Sequence, residues 1–339
     1  MKLTFLGTGT SFGIPVIGCR CPRCTSDDPR DRRTRHGALL DLPEGRLLVD
    51  APPELRLQLV REGVRTIDAV WITHLHADHV HGADDLRIFR FRAKKDMPVF
   101  CPRGSHYELL RRFPYIFDEA IHPPPGSSIP QFRLRGFEAF ELQEILGRTF
   151  TPLPVPHGPT TVHGFRVGGL GYITDGKALP PPTLAALRGV DTLVLNALWW
   201  GNPHPTHFNV EEAIEAASVV GARRTFLTHM THEVGHQQLL DTRPSGVEPA
   251  HDGLTIDIPD ESPSHQDRGA AEPESSGNGE APGPDQNRPV GPGETDSTGP
   301  PEVRTHGPGR PGRTGSAETR TPGFEARTLP TTQPEDESR

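Results

Sequence analysis

The sequence predicts an α/β fold, a sandwich of two β-sheets with helices on the outside. Strand-length apolar runs recur through the first 258 residues, some pairing as hairpins and others alternating with helical patterns. These hairpins and βα units also fall into two successive halves, the arrangement expected of two sheets each covered by its own helices.

The first run, LTFLG, is a short apolar strand, and GTGTSFG after it is a turn whose glycines can take positive φ. RHGALLDL and GRLLVDA read as a hairpin around Pro43 to Gly45. PELRLQLVREG carries Leu55, Leu59 and Val60 at helical spacing and stops at Gly63, and IDAVWITH is then a strand ending at His74. A helix from about Asp84 to Arg92, the strand PVFCP, the helix HYELLRRF and a Pro-rich passage from Ile121 to Pro130 follow. FTPLPVPH, GLGYITD, DTLVLNA and TFLTH are further strands, VEEAIEAASVV is an amphipathic helix, and LTIDI closes the domain. No repeat of fixed short period is present.

Composition sets the boundaries. From Glu261 onward the chain is built of Pro, Gly, Ser, Thr, acids and Arg, with Phe324 and Leu329 its only large apolar side chains. Such a stretch cannot offset the entropy of ordering with buried apolar surface. Residues 1–260 are therefore expected to form one globular domain and 261–339 a disordered acidic tail. The tail holds 14 acids and 8 arginines, leaving 30 acids against 28 bases in the domain. A near-neutral domain lacks the basic field of a protein that grips long nucleic acid. The opening MKLTFLGTGTSFG reads as neither a secretory signal nor a membrane anchor, and no run approaches eighteen apolar residues, so a soluble, cytoplasmic protein is expected.

The strongest chemical signal is THLHADHVHG, which sets His74, His76, Asp78 and His79 directly after the strand AVWIT. Two histidines two residues apart at a strand end can aim at one ion, while the following Asp and His turn toward a second. A bare HxH is usually a solvated turn; the full HxHxDH is not. Two coordination shells need more ligands than these four. His157, Asp175 and His229 each stand where a later apolar strand stops.

GTGTS, THLHADH, VPHG, YITD and FLTH, in this order, resemble the metallo-β-lactamase fold over about Met1 to Ile258. The resemblance implies a four-layer αβ/βα sandwich with the site along one edge of the two sheets. It further implies that His74, His76 and His157 bind one metal, Asp78, His79 and His229 another, and that Asp175 bridges them, with Asp78 also counted among the catalytic residues. The metals would be two divalent ions, zinc or manganese, since mixed imidazole and carboxylate shells suit several ions.

VIGCRCPRC adds a dense thiol loop, and Cys19, Cys21 and Cys24 with His232 of LTHMTH would close a tetrahedral structural zinc. Three reduced cysteines and a surface histidine are the bland alternative. The combination resembles the phosphoribosyl cyclic phosphate phosphodiesterases. Cys101, inside PVFCP, reads as a small buried residue.

The implied chemistry is attack of a metal-bridging hydroxide on a small cyclic phosphodiester, two ions about 3.5 to 4 Å apart making the nucleophile. His207 in NPHPTHFNVEE is the candidate proton donor to the leaving group, with His204 the competing assignment. His36, His106, His122, His163, His236 and His251 read as loop or supporting residues, and His81 as a supporting partner of the ligand cluster. The partner expected is a small phosphodiester, with no membrane and no long nucleic acid, and a homodimer by family analogy. A tRNA 3′-processing nuclease shares the seven ligands and is the second enzyme reading. Thioester or lactone hydrolysis and a non-catalytic zinc-binding interaction protein are the others.

Overall fold

A computed structural model describes residues 1–94, 96–118, 120–122, 124, 130 and 132–259. The chain divides into a unit Met1–Pro273 and a second, Glu274–Arg339. The acidic tail expected from residue 261 lies outside the described residues, as does most of the Pro-rich passage.

In chain order the first half comprises β1 (Lys2–Gly7), β2 (Gly37–Leu42), β3 (Gly45–Val49), α1 (Leu55–Arg61), β4 (Ala69–Trp71), α2 (Ala77–Val80), α3 (Arg87–Ala93), β5 (Met97–Pro102), α4 (His106–Arg112), α5 (Pro114–Phe117) and β6 (Phe132–Phe137). The second comprises β7 (Gln143–Ile145), β8 (Arg148–His157), β9 (Thr160–Val167), β10 (Leu170–Tyr172), α6 (Pro181–Leu187), β11 (Thr192–Asn196), α7 (Val210–Val220), β12 (Arg224–Thr228), α8 (His236–Thr242), β13 (Val247–Pro249) and β14 (Thr255–Asp257).

The strands make two seven-stranded sheets, ordered β14-β1-β2-β3-β4-β5-β6 and β13-β12-β11-β10-β9-β8-β7. In the first, the pairs from β14 to β3 are antiparallel and those from β3 to β6 parallel. The second repeats the scheme, antiparallel from β7 to β10 and parallel from β10 to β13.

The two-residue period of the strands builds the layers. In β2, Ala38 and Leu40 face the other sheet while Leu39 faces the helices; in β11, Val194 faces inward and Leu193 and Leu195 outward. Both faces being covered, these strands are nearly continuous apolar runs. The cluster between the sheets is aromatic, with Trp71 stacked on Phe137 at 4.4 Å. The outer clusters seat α1, α3 and α4 on one sheet and α6, α7 and α8 on the other, which completes four layers.

Local sequence explains the helix limits. Asn209 caps α7 by accepting from the Glu212 N–H while the Glu212 side chain accepts from the Asn209 N–H, and α7 ends on Gly221 at φ 73°. In α1 the buried stripe is Leu55, Gln58 and Leu59. Val60, expected on that stripe, is 69% exposed, because it lies one residue, about 100° of helix, past Leu59. HYELLRRF breaks at Phe113, and Pro114 starts a separate short helix.

Asp252 ties the first segments of the domain to its closing one. It is almost fully buried and accepts from the N–H and hydroxyl of Thr8 and of Thr34, at 2.6 to 2.9 Å. The GTGTS turn is thereby held against the final strands, where the Met230 N–H donates to the Thr8 carbonyl. No helix among the described residues is long and apolar enough to cross a membrane.

Candidate metal centre

The HxHxDH residues leave sheet one just beyond β4: His74 follows the strand, His76 is the extended residue that starts α2, and Asp78 and His79 lie on α2. His157 is the last residue of β8, Asp175 lies three residues past β10, and His229 follows β12. Asp175 and His229 both sit at φ 54°, and Asp50, just past β3, at φ 60°. A left-handed backbone costs a non-glycine residue about 1–2 kcal/mol. Here it turns three strand ends sharply enough to aim their side chains into one cleft, strain of the kind that collects at functional sites.

Two triads result, with all candidate ligand atoms in each within 4.8 Å of one another: His74, His76 and His157, and Asp78, His79 and His229. His76 Nδ1 lies 2.9 Å from His74 Nε2 and 3.3 Å from His157 Nε2. Asp175 Oδ2 lies between the sets, 4.0 Å from His74 Nε2, 3.5 Å from His79 Nε2 and 3.3 Å from His229 Nε2. The structure thus brings all seven residues singled out by sequence to one place.

Their hydrogen bonding fits a pair of cations. His79 Nε2 and both ring nitrogens of His229 are buried without a hydrogen-bond partner, an arrangement that is costly unless something else engages them. The opposite ring nitrogens are tied down: His79 Nδ1 donates to Asp50 Oδ2 at 2.7 Å, and His157 Nδ1 to the Thr206 carbonyl at 3.1 Å. Each tie fixes a tautomer whose Nε2 lone pair faces the cleft. Asp50 is itself fixed by the Thr73 N–H and hydroxyl, at 2.9 and 2.9 Å. This set could hold two divalent ions.

The electrostatics agree. Burial pulls His74 well below the usual imidazole range and His229 down to about 4, leaving neutral rings with a lone pair to give. Burial pushes the Asp175 carboxyl up, but the imidazoles of His229 and His79 outweigh it and hold it well below the carboxylate range. Burial likewise opposes charge on His79, yet Asp175 and Asp50 hold that imidazole well above its ordinary value. The surroundings of His79 thus favour positive charge in the cleft.

His207 borders the same cleft. Its Nε2 is 3.3 Å from Asp175 Oδ2, and its ring stacks on His229 at 5.1 Å. His204 stands behind it, with Nδ1 3.3 Å from His207 Nδ1, so the two are ordered rather than equivalent. The cleft, about 470 Å³, is also bordered by Ser11, Pro159, Thr160 and Thr206.

Sequence reading overlooked Asp50, although LLVDA carries the signal used for Asp175, a polar residue where an apolar strand stops. The supporting role given to His81 belongs to Asp50. His81 closes α2 on its outer side, where it is exposed and its ring meets Phe113 edge-on at 5.8 Å.

A second cluster lies apart from the first. The Sγ atoms of Cys19, Cys21 and Cys24 are each 3.4 Å from His232 Nδ1, and all three thiols are free. The Val16 N–H donates to Cys24 Sγ at 3.3 Å, and the Cys24 N–H, at 3.5 Å, is the main influence drawing the Cys21 thiol down to about 6. Four donors around one point suit a tetrahedral structural site. Cys101 is fully buried in β5, as expected.

A family model described as the Beta-lactamase superfamily domain matches residues 45–230. A crystal structure described as a new diphosphatase from the PhnP family is 36% identical, with a TM-score of 0.70 over 76% of this chain and 98% of that one. An octanoyltransferase of Porphyromonas gingivalis is 32% identical over 75% of this chain and 51% of its own, so this chain spans about half its length. A ribonuclease Z of a Mycobacterium species is 26% identical over 72% of this chain and 88% of that protein. With its strand-end histidines and aspartates and its twin sheets, the chain belongs to the beta-lactamase superfamily and has the metallo-β-lactamase fold.

Proposed function

We propose that the protein is a two-metal phosphodiesterase that opens a small cyclic phosphate ester, of the phosphoribosyl cyclic phosphate type. The observation that carries this reading is the Asp175 carboxylate shared by two imidazole-rich triads at the floor of an open cleft. His74, His76 and His157 would hold one divalent ion, zinc or manganese, Asp78, His79 and His229 the second, and Asp175 both. Bound there, the pair would supply Lewis acidity toward a phosphoryl oxygen and a water acidic enough to attack at neutral pH. Cys19, Cys21, Cys24 and His232 would hold a structural zinc that takes no part in the chemistry.

His207 would give the departing alkoxide its proton. The Nε2 edge faces the cleft, while the Thr206 hydroxyl, 2.8 Å from Nδ1, fixes the ring from behind. General acids contribute about 10²–10⁴ in rate. His207→Ala is therefore expected to lower kcat roughly a hundredfold or more on an alkyl ester and far less on a nitrophenyl ester, whose leaving group needs no proton. Equal losses on both would assign the ring to structure instead.

The near-neutral domain favours a small substrate over a long nucleic acid, and a homodimer is the expectation from family analogy. The diphosphatase relative favours a second reading, cleavage of a diphosphate. The deciding experiment assays a nitrophenyl phosphodiester, a ribose cyclic phosphate, a small diphosphate ester and a pre-tRNA side by side, on metal-analysed protein with and without manganese. Cleavage of the cyclic ester in preference to the diphosphate and the RNA supports the proposal. Preference for the diphosphate or the RNA replaces it, and silence on all four sinks it.

A further inference from the structure

His36 stands immediately before β2 and has no exposed surface. Its Nε2 is 2.7 Å from the Tyr172 hydroxyl and its Nδ1 3.4 Å from the Thr228 hydroxyl. The phenol O–H can donate to Nε2, which leaves the Nδ1–H to donate to Thr228. Both partners belong to the other sheet: Tyr172 ends β10, three residues before Asp175, and Thr228 ends β12, directly before His229. The His36 ring lies 5.7 Å from that of His79, which comes from the first sheet, and 5.8 Å from that of His229, which comes from the second. One side chain on the first sheet thus holds two ligand-bearing strand ends of the second and touches both imidazoles of the second triad.

We propose that His36 is a positioning residue for the second metal position, setting the separation between His79 on one sheet and His229 and Asp175 on the other. The inference rests on the two-metal reading of the cleft. The first triad depends on it less, because His74, His76 and His157 are held by Thr73, by the start of α2 and by the Thr206 carbonyl. A ring deep in a core could merely fill space. Its two hydrogen bonds across the sheets, directed at the residues that turn into Asp175 and His229, make the distinction measurable.

The test is a titration of metal-stripped protein with Mn²⁺ and Zn²⁺, read by calorimetry and metal analysis, for the wild type and for His36→Phe, His36→Gln and Tyr172→Phe. His36→Phe keeps ring volume and loses both hydrogen bonds. Outer-sphere partners of metal ligands typically contribute about 10–100-fold in affinity. The expectation is a loss of that size at one of the two cleft sites with a clearly smaller loss at the other, which shares Asp175, partial recovery in His36→Gln, which keeps an acceptor for the phenol, and a smaller selective loss in Tyr172→Phe. Tyr172→Phe decides the matter if His36→Phe does not fold. Unchanged affinities, or equal weakening of both sites alongside a lower melting temperature, overturn the inference. A wild type that binds fewer than two ions in the cleft overturns the reading of the cleft itself.

Discussion

Asp175→Ala is expected to lower phosphodiester hydrolysis at least about a thousandfold and to strip metal from both halves of the cleft while the domain stays folded. Two divalent ions stabilise a phosphoryl-transfer transition state by several kcal/mol, and each 1.36 kcal/mol is about a factor of ten in rate. Asp175 Oδ2 lies within 4.0 Å of imidazole nitrogens of both triads, so its loss is expected to affect both ions. Alanine at φ 54° adds backbone strain on top of the lost charge. Asp175→Asn separates the two, since Asn tolerates the left-handed region almost as well as Asp. Both variants should therefore lose activity and bound metal, with Asn the closer to wild type in melting temperature. Unchanged turnover in either would place the chemistry away from this carboxylate and overturn the two-metal reading of the cleft.

The site was more legible in the sequence than the scaffold, for a physical reason. His74, His157, Asp175 and His229 each mark an abrupt end to an apolar run, and a hydrophilic residue at a strand end is visible in one dimension. Asp50 shows the same signal in LLVDA; it was passed over because its partner, His79, is 29 residues away and only the sheet brings them together. His36 carried no such signal, because RHGALLDL looks like the entry to a strand whichever way the ring points. Among the strands, β9 is hard to read because His163 and Gly164 interrupt its alternation; its pairing, residue for residue, with Phe150 to His157 of β8 supplies what its own sequence lacks. β7 and β13 have three residues each, too few to show a period, and β6 alternates Arg with apolar residues behind a Pro-rich lead. For α6, the opening Pro-Pro reads as a breaker, yet proline in a first turn costs no hydrogen bond.

Cys24→Ser is expected to release one zinc equivalent and to lower the melting temperature by roughly 10 °C, a shift large enough to separate a metal site from three idle thiols. Structural zinc binds zinc-finger peptides with about 10–16 kcal/mol of apparent free energy, and even a third of the lower figure is about 3 kcal/mol. For a domain of this size each kcal/mol moves the midpoint about 2–4 °C. If no metal is held, the exchange costs about 1 kcal/mol, the typical effect of one substitution, and the shift stays within a few degrees. The consequence should reach the catalytic cleft, because only Met230 and Thr231 separate His229 from His232. Both are fastened, Met230 by its N–H to Thr8 and Thr231 by its N–H to the Leu198 carbonyl. Arg33, wholly buried, donates to the carbonyls of Thr231 and Val234 on either side of His232. Its Nη2 also lies 3.9 Å from the buried Asp31 Oδ1, so the segment is fixed to the chain that follows the cysteine loop. Loss of the attachment between His232 and the three thiols would release one hold on this segment, and is expected to loosen His229 with it. Cobalt substitution reads the two sites separately. Cys24→Ser should abolish the thiolate-to-cobalt charge-transfer band and weaken, without abolishing, cobalt binding in the cleft. A variant that lost the band but kept cleft affinity and turnover at wild-type values would show the two clusters to be energetically independent.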